Sequence, residues 1–199
     1  GVKRPNILEL ESPFSKKNQL TLVINDVTTK YSARDNDMYN KIANHIKDVL
    51  NSASNTNSLV FFPSYIMMEK ILENINLNSL GRKIIKEQKF MNKEDKEKHV
   101  DNFRDTDNFN SKSTVLFGVT SGSFAEGLDL PDKMLEMVIV VGLPLGVPDL
   151  YTKAVIRHFD KKFGKGQMYG YIYPAMNKII QAGGRCSRTE NDRGVITLM

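Results

Sequence analysis

The sequence is poor in the residues that build metal sites and disulfide frameworks. It has one cysteine, Cys186, and three widely separated histidines in 199 residues. A disulfide framework needs pairs of cysteines, and a zinc site needs several Cys or His ligands close together. We therefore expect neither a disulfide nor a metal site within this chain.

Long hydrophobic runs are also missing. The longest apolar run, Met137 to Pro148, contains two prolines and two glycines, whereas a membrane-spanning helix needs about 20 consecutive apolar residues. The first residues show no signal-like segment. We therefore expect a soluble protein of the cytoplasm, or of the nucleus in a eukaryote, that does not associate with membranes.

The phosphate-binding loop G-x-x-x-x-G-K-[ST] is absent as well. The segment FGKGQ does not supply one, because Gly166 follows Lys165 where a hydroxyl side chain is required. A net charge of +5 is a mild bias toward polyanions and does not identify a partner. The chain is thus not expected to cradle a nucleoside triphosphate unaided.

What the sequence does contain is an alternation of strand-like and helix-like segments. Runs that are apolar throughout and rich in β-branched residues predict strands buried on both faces of a parallel sheet. Apolar residues at helical spacing predict helices between them, one capped by Asp37 and one by Ser64. The predicted strands are NILEL, LTLVIND, SLVFF, KIIKEQ, STVLFGV, EMVIVVG and GVITL, and the predicted helices are 38–50, 65–75, 91–105, 150–163 and 174–182. This order indicates an α/β fold, with a mostly parallel central sheet flanked by helices.

The segment QAGGRCSR places Gln181, Arg185 and Arg188 at positions i, i+4 and i+7. On a helix these three side chains project from one face. A guanidinium group binds phosphate bidentately, through two N–H donors, and it stabilises the charge on a transferred phosphoryl group. An ordinary basic helix end with surface ion pairs fits the octapeptide equally well. Gly183 and Gly184 each disfavour a helix by about 1 kcal/mol relative to Ala, which predicts a close backbone approach.

A second polar segment, VTSGSFAEGLDLP, follows one of the most apolar predicted strands. In it, Glu126 and Asp129 flank Gly127, and Thr120 and Ser123 come before them. Functional groups of α/β proteins gather beyond the carboxyl ends of the strands. Carboxylates at such a position orient arginines or accept hydrogen bonds from ribose, and hydroxyl and backbone N–H groups hold phosphates.

Together with FFPSY, these segments resemble the second motor domain of superfamily 2 DNA helicases of the XPD/DinG type, the iron–sulfur, Rad3-like family. FFPSY is similar to motif IV, TSGSFAEGLDLP to motif V and QAGGRCSR to motif VI. The resemblance covers the chain from about Ser12 to Met199. It implies a RecA-like domain.

The resemblance also implies roles for particular residues. Arg185 and Arg188 match the arginines that act on the γ-phosphate of ATP bound to the first motor domain. Gln181 matches a residue that contacts the nucleotide or motif V. The motif V core, which couples the nucleotide cleft to the DNA track, is matched by Glu126, Gly127 and Asp129. Positions matching the single-stranded DNA path are Ser64, Tyr65, Thr120 and Ser123. XPD-type motif V often carries basic residues near Ser121 and Ser123, so one phosphate contact is expected to be missing or to come from elsewhere.

The implied function is that of the C-terminal motor domain of an ATP-dependent 5′ to 3′ DNA helicase acting in DNA repair or transcription. Residues 1–199 would form one motor domain of a longer protein and be inactive alone. The P-loop domain, which shares ATP and Mg²⁺ with this one, and a 4Fe–4S domain would lie elsewhere in that protein, because one cysteine cannot ligate a cluster. Implied partners are single-stranded DNA, the N-terminal motor domain, and subunits of repair or transcription complexes.

Two other functions are compatible with the residues. One is a non-catalytic module, derived from a helicase domain, that binds nucleic acid or protein without turnover. The other is a stand-alone nucleotide-binding or phosphoryl-transfer enzyme, which is disfavoured because the chain has arginines for phosphate but no P-loop.

Overall fold

The computed structural model describes residues 8–9, 15–104, 113–127, 135–186 and 192–199. Six strands form one sheet, and all of their described pairings are parallel. They are β1 (Gln19–Val23), β2 (Ser58–Phe62), β3 (Lys83–Lys86), β4 (Thr114–Val119), β5 (Met137–Val140) and β6 (Gly194–Leu198), in the order β1-β6-β5-β2-β4-β3. The predicted α/β class is confirmed, and the sheet is parallel throughout its described strands.

Within these described ranges, six α-helices connect the strands. They are α1 (Asn36–Ser52), α2 (Tyr65–Leu72), α3 (Lys93–Arg104), α4 (Ser123–Gly127), α5 (Leu150–Phe163) and α6 (Tyr173–Gly183). A π-helical turn, Met168–Ile172, leads into α6, and a 3₁₀ turn, Gly184–Cys186, continues it. None of the helices in the described ranges is both long enough and apolar enough to span a bilayer.

The central strands are buried on both faces, as their uniformly apolar sequences predict. Every residue of β2, β4 and β5 is buried. Successive side chains of a strand point to opposite faces. Val60 and Phe62 therefore join the core formed with α1 and α2, whereas Leu59 and Phe61 join the core formed with α4 and α6.

Capping side chains fix where two of these helices begin. Asp35, not the predicted Asp37, caps α1, and its carboxylate accepts a hydrogen bond of 2.7 Å from the Met38 N–H. The prediction was wrong because the helix begins two residues before Met38, which places Asp37 in its first turn. Ser64 caps α2 as predicted, and its Oγ accepts from the Met67 N–H at 3.3 Å.

Two further predictions differ from the structure. Leu8 and Glu9, the described residues of the predicted strand NILEL, lie outside any strand, and the rest of that segment is outside the described residues. The segment after β4 was expected to be a loop, but it contains α4. With only five residues, this helix is too short to show an apolar periodicity in the sequence.

Candidate functional site

The loops that carry the motifs lie side by side at the carboxyl edge of the sheet. Because β5, β2 and β4 are neighbours, the segments that follow them leave the sheet at adjacent positions. The Thr120 N–H donates to the Phe62 carbonyl at 2.9 Å, and the Val141 N–H donates to the Phe61 carbonyl at 2.8 Å. Backbone hydrogen bonds therefore fix the relative positions of the three loops where they begin.

The predicted nucleic-acid residues occupy two of these loops. Ser64 and Tyr65, which are half-buried, form the start of α2, and half-buried Ser123 begins α4. Thr120 is only 3% exposed, and its hydroxyl donates to the Phe62 carbonyl at 3.2 Å. The structure thus brings all four residues to one edge, with Thr120 joining the two loops beneath the surface.

A buried glutamate holds the loop that connects β4 to α4. Glu87 lies just beyond the carboxyl end of β3 and is only 2% exposed. One of its oxygens, Oε2, accepts from the Val119 N–H at 2.8 Å, and Oε1 accepts from the N–H groups of Ser123 and, at 3.4 Å, Phe124. These three N–H groups therefore already donate to the carboxylate, and a phosphate at this loop would have to use other donors.

The Tyr65 hydroxyl faces the same carboxylate. Burial, followed by the charge of Glu87 and a hydrogen bond to it, raises the pKa of Tyr65 to about 12. The phenol is therefore protonated at neutral pH and can donate to Glu87. Through this one carboxylate, the start of α2 is linked to the β4–α4 loop.

A groove of about 490 Å³ opens beside these residues, between the start of α2 and the segment that follows β3. At its rim the Lys89 ammonium lies 5.3 Å from the centre of the Phe90 ring, and Phe90 is 91% exposed. Phe90 has a left-handed backbone conformation (φ 69°), which is uncommon for a bulky residue. Exposed rings beside cations are the groups on which single-stranded nucleic acids stack.

The arginine segment meets the same edge of the sheet. Arg185, in the 3₁₀ turn after α6, is half-buried, and its Nη2 donates to the Ala125 carbonyl in α4. Gln181 is exposed near the end of α6. The close approach predicted for the glycine pair occurs at Gly183 only, where an added Cβ would lie 3.1 Å from Ile196 Cδ1, while Gly184 borders open space.

The cysteine inside this segment is a packed residue. Cys186 is 2% exposed, and an added Cβ on Gly194 would lie 2.4 Å from its Cβ. Burial, and to a smaller extent the carboxylates of Glu136 and Asp192, raise the pKa of this thiol to about 12. It therefore stays protonated and is a poor nucleophile.

Several predicted site residues are described in part or not at all. Arg188 and Asp129 lie outside the described residues. Glu126 and Gly127 end α4, and only their backbone is described.

Comparison with known proteins identifies the family. Residues 46–199 match the family described as the helicase C-terminal domain. This chain belongs to that family. The relatives and structures it resembles place it in the XPD/DinG branch of superfamily 2 helicases, as the motifs indicate.

Two curated relatives and one solved structure illustrate the similarity. The ATP-dependent DNA helicase DinG of Photobacterium profundum is 30% identical over 96% of this chain and 27% of its own length. The ATP-dependent DNA helicase XPD of Sulfolobus acidocaldarius is 30% identical over 87% of this chain and 30% of its own length. A solved XPD helicase structure superimposes with a TM-score of 0.69 at 26% identity, over 90% of this chain and 31% of that one. This helicase C-terminal domain thus spans about a third or less of each of them, and its RecA-like fold is confirmed.

The donor groups of this helicase C-terminal domain fit the phosphate end of a nucleotide. The guanidinium group of Arg185 and the exposed amide of Gln181 both carry N–H donors, which phosphate oxygens accept. Within the described ranges, no group of three or more His, Cys, Asp or Glu side chains comes together to hold a metal ion. An iron–sulfur cluster does not fit this chain, because it needs four thiolates and the sequence has one cysteine.

Glu87 and the Lys89–Phe90 pair are the site residues that sequence reasoning missed. Glu87 falls inside the predicted strand KIIKEQ, whereas β3 ends at Lys86 and leaves Glu87 just beyond its carboxyl end. It was overlooked because β3 is short and its neighbour in the sheet was unknown. Nothing in the sequence around Phe90 distinguishes its ring from a packed one.

Proposed function

We propose that this chain is the second motor domain of an ATP-dependent DNA helicase that moves 5′ to 3′ along single-stranded DNA in repair or transcription. In this proposal residues 1–199 are one motor domain of a longer protein, whose P-loop and iron–sulfur domains lie elsewhere in it. The greater length of the relatives supports this division, as does the lack of a P-loop in the sequence. The proposed compartment is the cytoplasm, or the nucleus in a eukaryote.

The observation that carries the proposal is the position of α4 between the two sets of motif residues. Its first residues, Ser123 and Phe124, adjoin the proposed nucleic-acid groove through Glu87. Its Ala125 carbonyl accepts a hydrogen bond from Arg185. A displacement of Arg185 therefore acts directly on the helix that shapes the nucleic-acid loop, which is the coupling that a motor requires.

On the nucleotide side, Arg185 and Arg188 are the proposed arginine fingers. ATP, bound with Mg²⁺ on the first motor domain, supplies the phosphoryl group whose hydrolysis drives movement. The guanidinium of Arg185 neutralises charge that develops on that group, and its bond to Ala125 holds it in place. Gln181, Glu126, Gly127 and Asp129 are the proposed supporting residues on this side.

On the other side, Ser64, Tyr65, Thr120 and Ser123 are proposed to shape the path of single-stranded DNA. Ser64 and Tyr65 line the groove, and Lys89 also lines it. Lys89 and the exposed Phe90 ring supply a cation and a stacking surface at the rim. The proposed partners are this strand, the first motor domain, and subunits of a repair or transcription complex.

Substitution of Arg185 tests the nucleotide side. In the protein that joins this chain to its first motor domain, Arg185→Ala is expected to lower DNA-stimulated ATP hydrolysis by about 10³-fold. Arg185→Lys should restore little, because an ammonium lacks the planar fork. Arg193→Ala, an exposed arginine at the amino end of β6, is the matched control and should leave the rate unchanged. Unchanged hydrolysis in Arg185→Ala would refute the assignment.

Strand displacement tests the direction. Duplexes with a 5′ single-stranded overhang should be unwound, and those with a 3′ overhang should not. A joined protein that binds single-stranded DNA but hydrolyses no ATP would instead support the non-catalytic binding module.

A further inference from the structure

The described partners of the buried Glu87 carboxylate lie at the two ends of the β4–α4 loop and at the start of α2. Burying a carboxylate without partners is costly, so such groups are normally paired or hydrogen-bonded. Here the partners are backbone N–H groups of Val119, Ser123 and Phe124, at the two ends of a single turn. The turn between them contains Thr120, one of the proposed nucleic-acid residues.

The two carboxylate oxygens bind different ends of the loop. Oε2 accepts from the last residue of β4, and Oε1 accepts from the first two residues of α4. One rigid planar group therefore sets the distance between the end of the strand and the start of the helix. Hydrogen bonds to an ionised acceptor are roughly twice as strong as those between neutral groups.

The loop has space for this carboxylate only because two of its neighbours lack side chains. A Cβ added to Gly118 would lie 2.9 Å from Glu87 Oε2, and one added to Gly122 would lie 2.4 Å from Oε1. The sequence of the loop is thus fitted to a side chain that is more than thirty residues away along the chain.

We propose that Glu87 is a positioning residue that holds the β4–α4 loop in the form that binds single-stranded nucleic acid. It acts through the loop and through Tyr65, since its 2% exposure leaves almost no surface for a ligand. This inference rests on the proposed nucleic-acid function, and it assigns the shape of the binding loop to one buried side chain.

The direction of the change in nucleic-acid affinity distinguishes loop positioning by Glu87 from a simple effect of its negative charge. Removing a negative charge close to a polyanion normally strengthens binding. If Glu87 positions the loop, Glu87→Gln should weaken binding instead, because the amide directs N–H donors at backbone N–H donors. Glu69 lines the same groove and is exposed. Glu69→Gln is therefore the matched control, in which only the charge effect operates.

The experiment uses the protein that joins this chain to its first motor domain, and it measures the affinity of that protein for a fluorescent oligothymidylate by anisotropy at low salt. Glu87→Gln is expected to raise Kd by about 10-fold, as expected for the loss of one net hydrogen bond. Glu69→Gln should lower Kd, because it removes a negative charge beside the bound strand. In parallel, the amide chemical shifts of Val119, Ser123 and Phe124 should move in Glu87→Gln and stay fixed in Glu69→Gln.

Each outcome decides a different point. Moved amide shifts with unchanged or tighter binding in Glu87→Gln would overturn the inference and leave the proposed function intact. Absence of binding by the unsubstituted joined protein would overturn the nucleic-acid function and the inference with it. Should Glu87→Gln fail to fold, Gly122→Ala displaces the same carboxylate from the loop side, and it too is expected to weaken binding.

Discussion

The two ends of β3 carry buried charges of opposite sign. Arg82 immediately precedes the strand and Glu87 immediately follows it, and they are 8% and 2% exposed. Arg82 donates to the carbonyls of Leu50, Ala53 and, at 3.0 Å, Thr56, around the end of α1. Glu87 accepts from backbone N–H groups around the start of α4.

At both ends of β3, a buried charged side chain binds the unpaired backbone groups of a helix terminus, but the two contacts serve different purposes. The end of a helix presents unpaired carbonyls and attracts a cation, and the start of a helix presents unpaired N–H groups and attracts an anion. At the amino end of β3, the contact secures the turn from α1 to β2, far from the motif loops. At the carboxyl end it secures a loop of the candidate site. We therefore expect the first contact to affect stability and the second to affect binding.

The largest expected effect is on the Arg82 side. Arg82→Met keeps an apolar stem but leaves the carbonyls at the end of α1 without their donor, so the free energy of unfolding should fall by about 3 kcal/mol. Burial lowers the pKa of Arg82, but an arginine keeps its charge throughout the pH range of such experiments. Urea denaturation measures the change.

The control for Arg82 is Lys86→Met, at an exposed position of the same strand, which should change the free energy of unfolding by less than about 0.5 kcal/mol. Once folded, Arg82→Met should bind oligothymidylate like the unsubstituted chain. A specific loss of binding in this variant would break the division between the two ends.

The second-largest expected effect is on stability, and it tests the contact between the Glu87 carboxylate and the β4–α4 loop. Gly122→Ala places a Cβ 2.4 to 2.7 Å from the carboxyl atoms of Glu87, and such overpacking costs about 1 to 3 kcal/mol of unfolding free energy. In a Glu87→Ala background the same substitution should cost much less. Equal costs in the two backgrounds would contradict a direct contact, because residues in contact give non-additive effects.

Much of this architecture could be predicted from the sequence. The apolar runs of β2, β4 and β5 indicated buried parallel strands, and Ser64 after SLVFF indicated a helix start. The site was less predictable, because the partners of Glu87 are 32 to 37 residues away along the chain. They meet only because β3 pairs with β4, and that pairing is a property of the sheet rather than of any local pattern.

A third effect concerns pH. A group whose pKa is raised by folding stabilises the protein below its unfolded pKa and loses that contribution as the pH approaches its folded pKa. For Tyr65 this interval runs from 10.0 to about 12. The unfolding free energy should therefore fall in this range, by at most about 1.4 kcal/mol per pH unit for one group.

Tyr65→Phe should make this alkaline fall shallower, and Tyr31→Phe, at a residue that is 86% exposed, should not. Part of the fall should remain in both variants, because the pKa of Cys186 is raised from 9.0 to about 12. An identical pH profile in Tyr65→Phe and the unsubstituted chain would mean that folding does not raise the pKa of the Tyr65 phenol.

The smallest expected effect tests whether the arginine segment is packed as closely as the two ends of β3. Gly184 has a right-handed backbone (φ −62°, ψ −10°) and open space beside it. Gly184→Ala should therefore raise the unfolding free energy by about 0.4 to 1 kcal/mol, since Ala restricts the unfolded chain. Gly183→Ala should raise the unfolding free energy by less, because the added Cβ would press on Ile196 Cδ1. Destabilisation by Gly184→Ala would show instead that the turn carrying Arg185 is packed closely on both of its glycines, like the loop that holds Glu87.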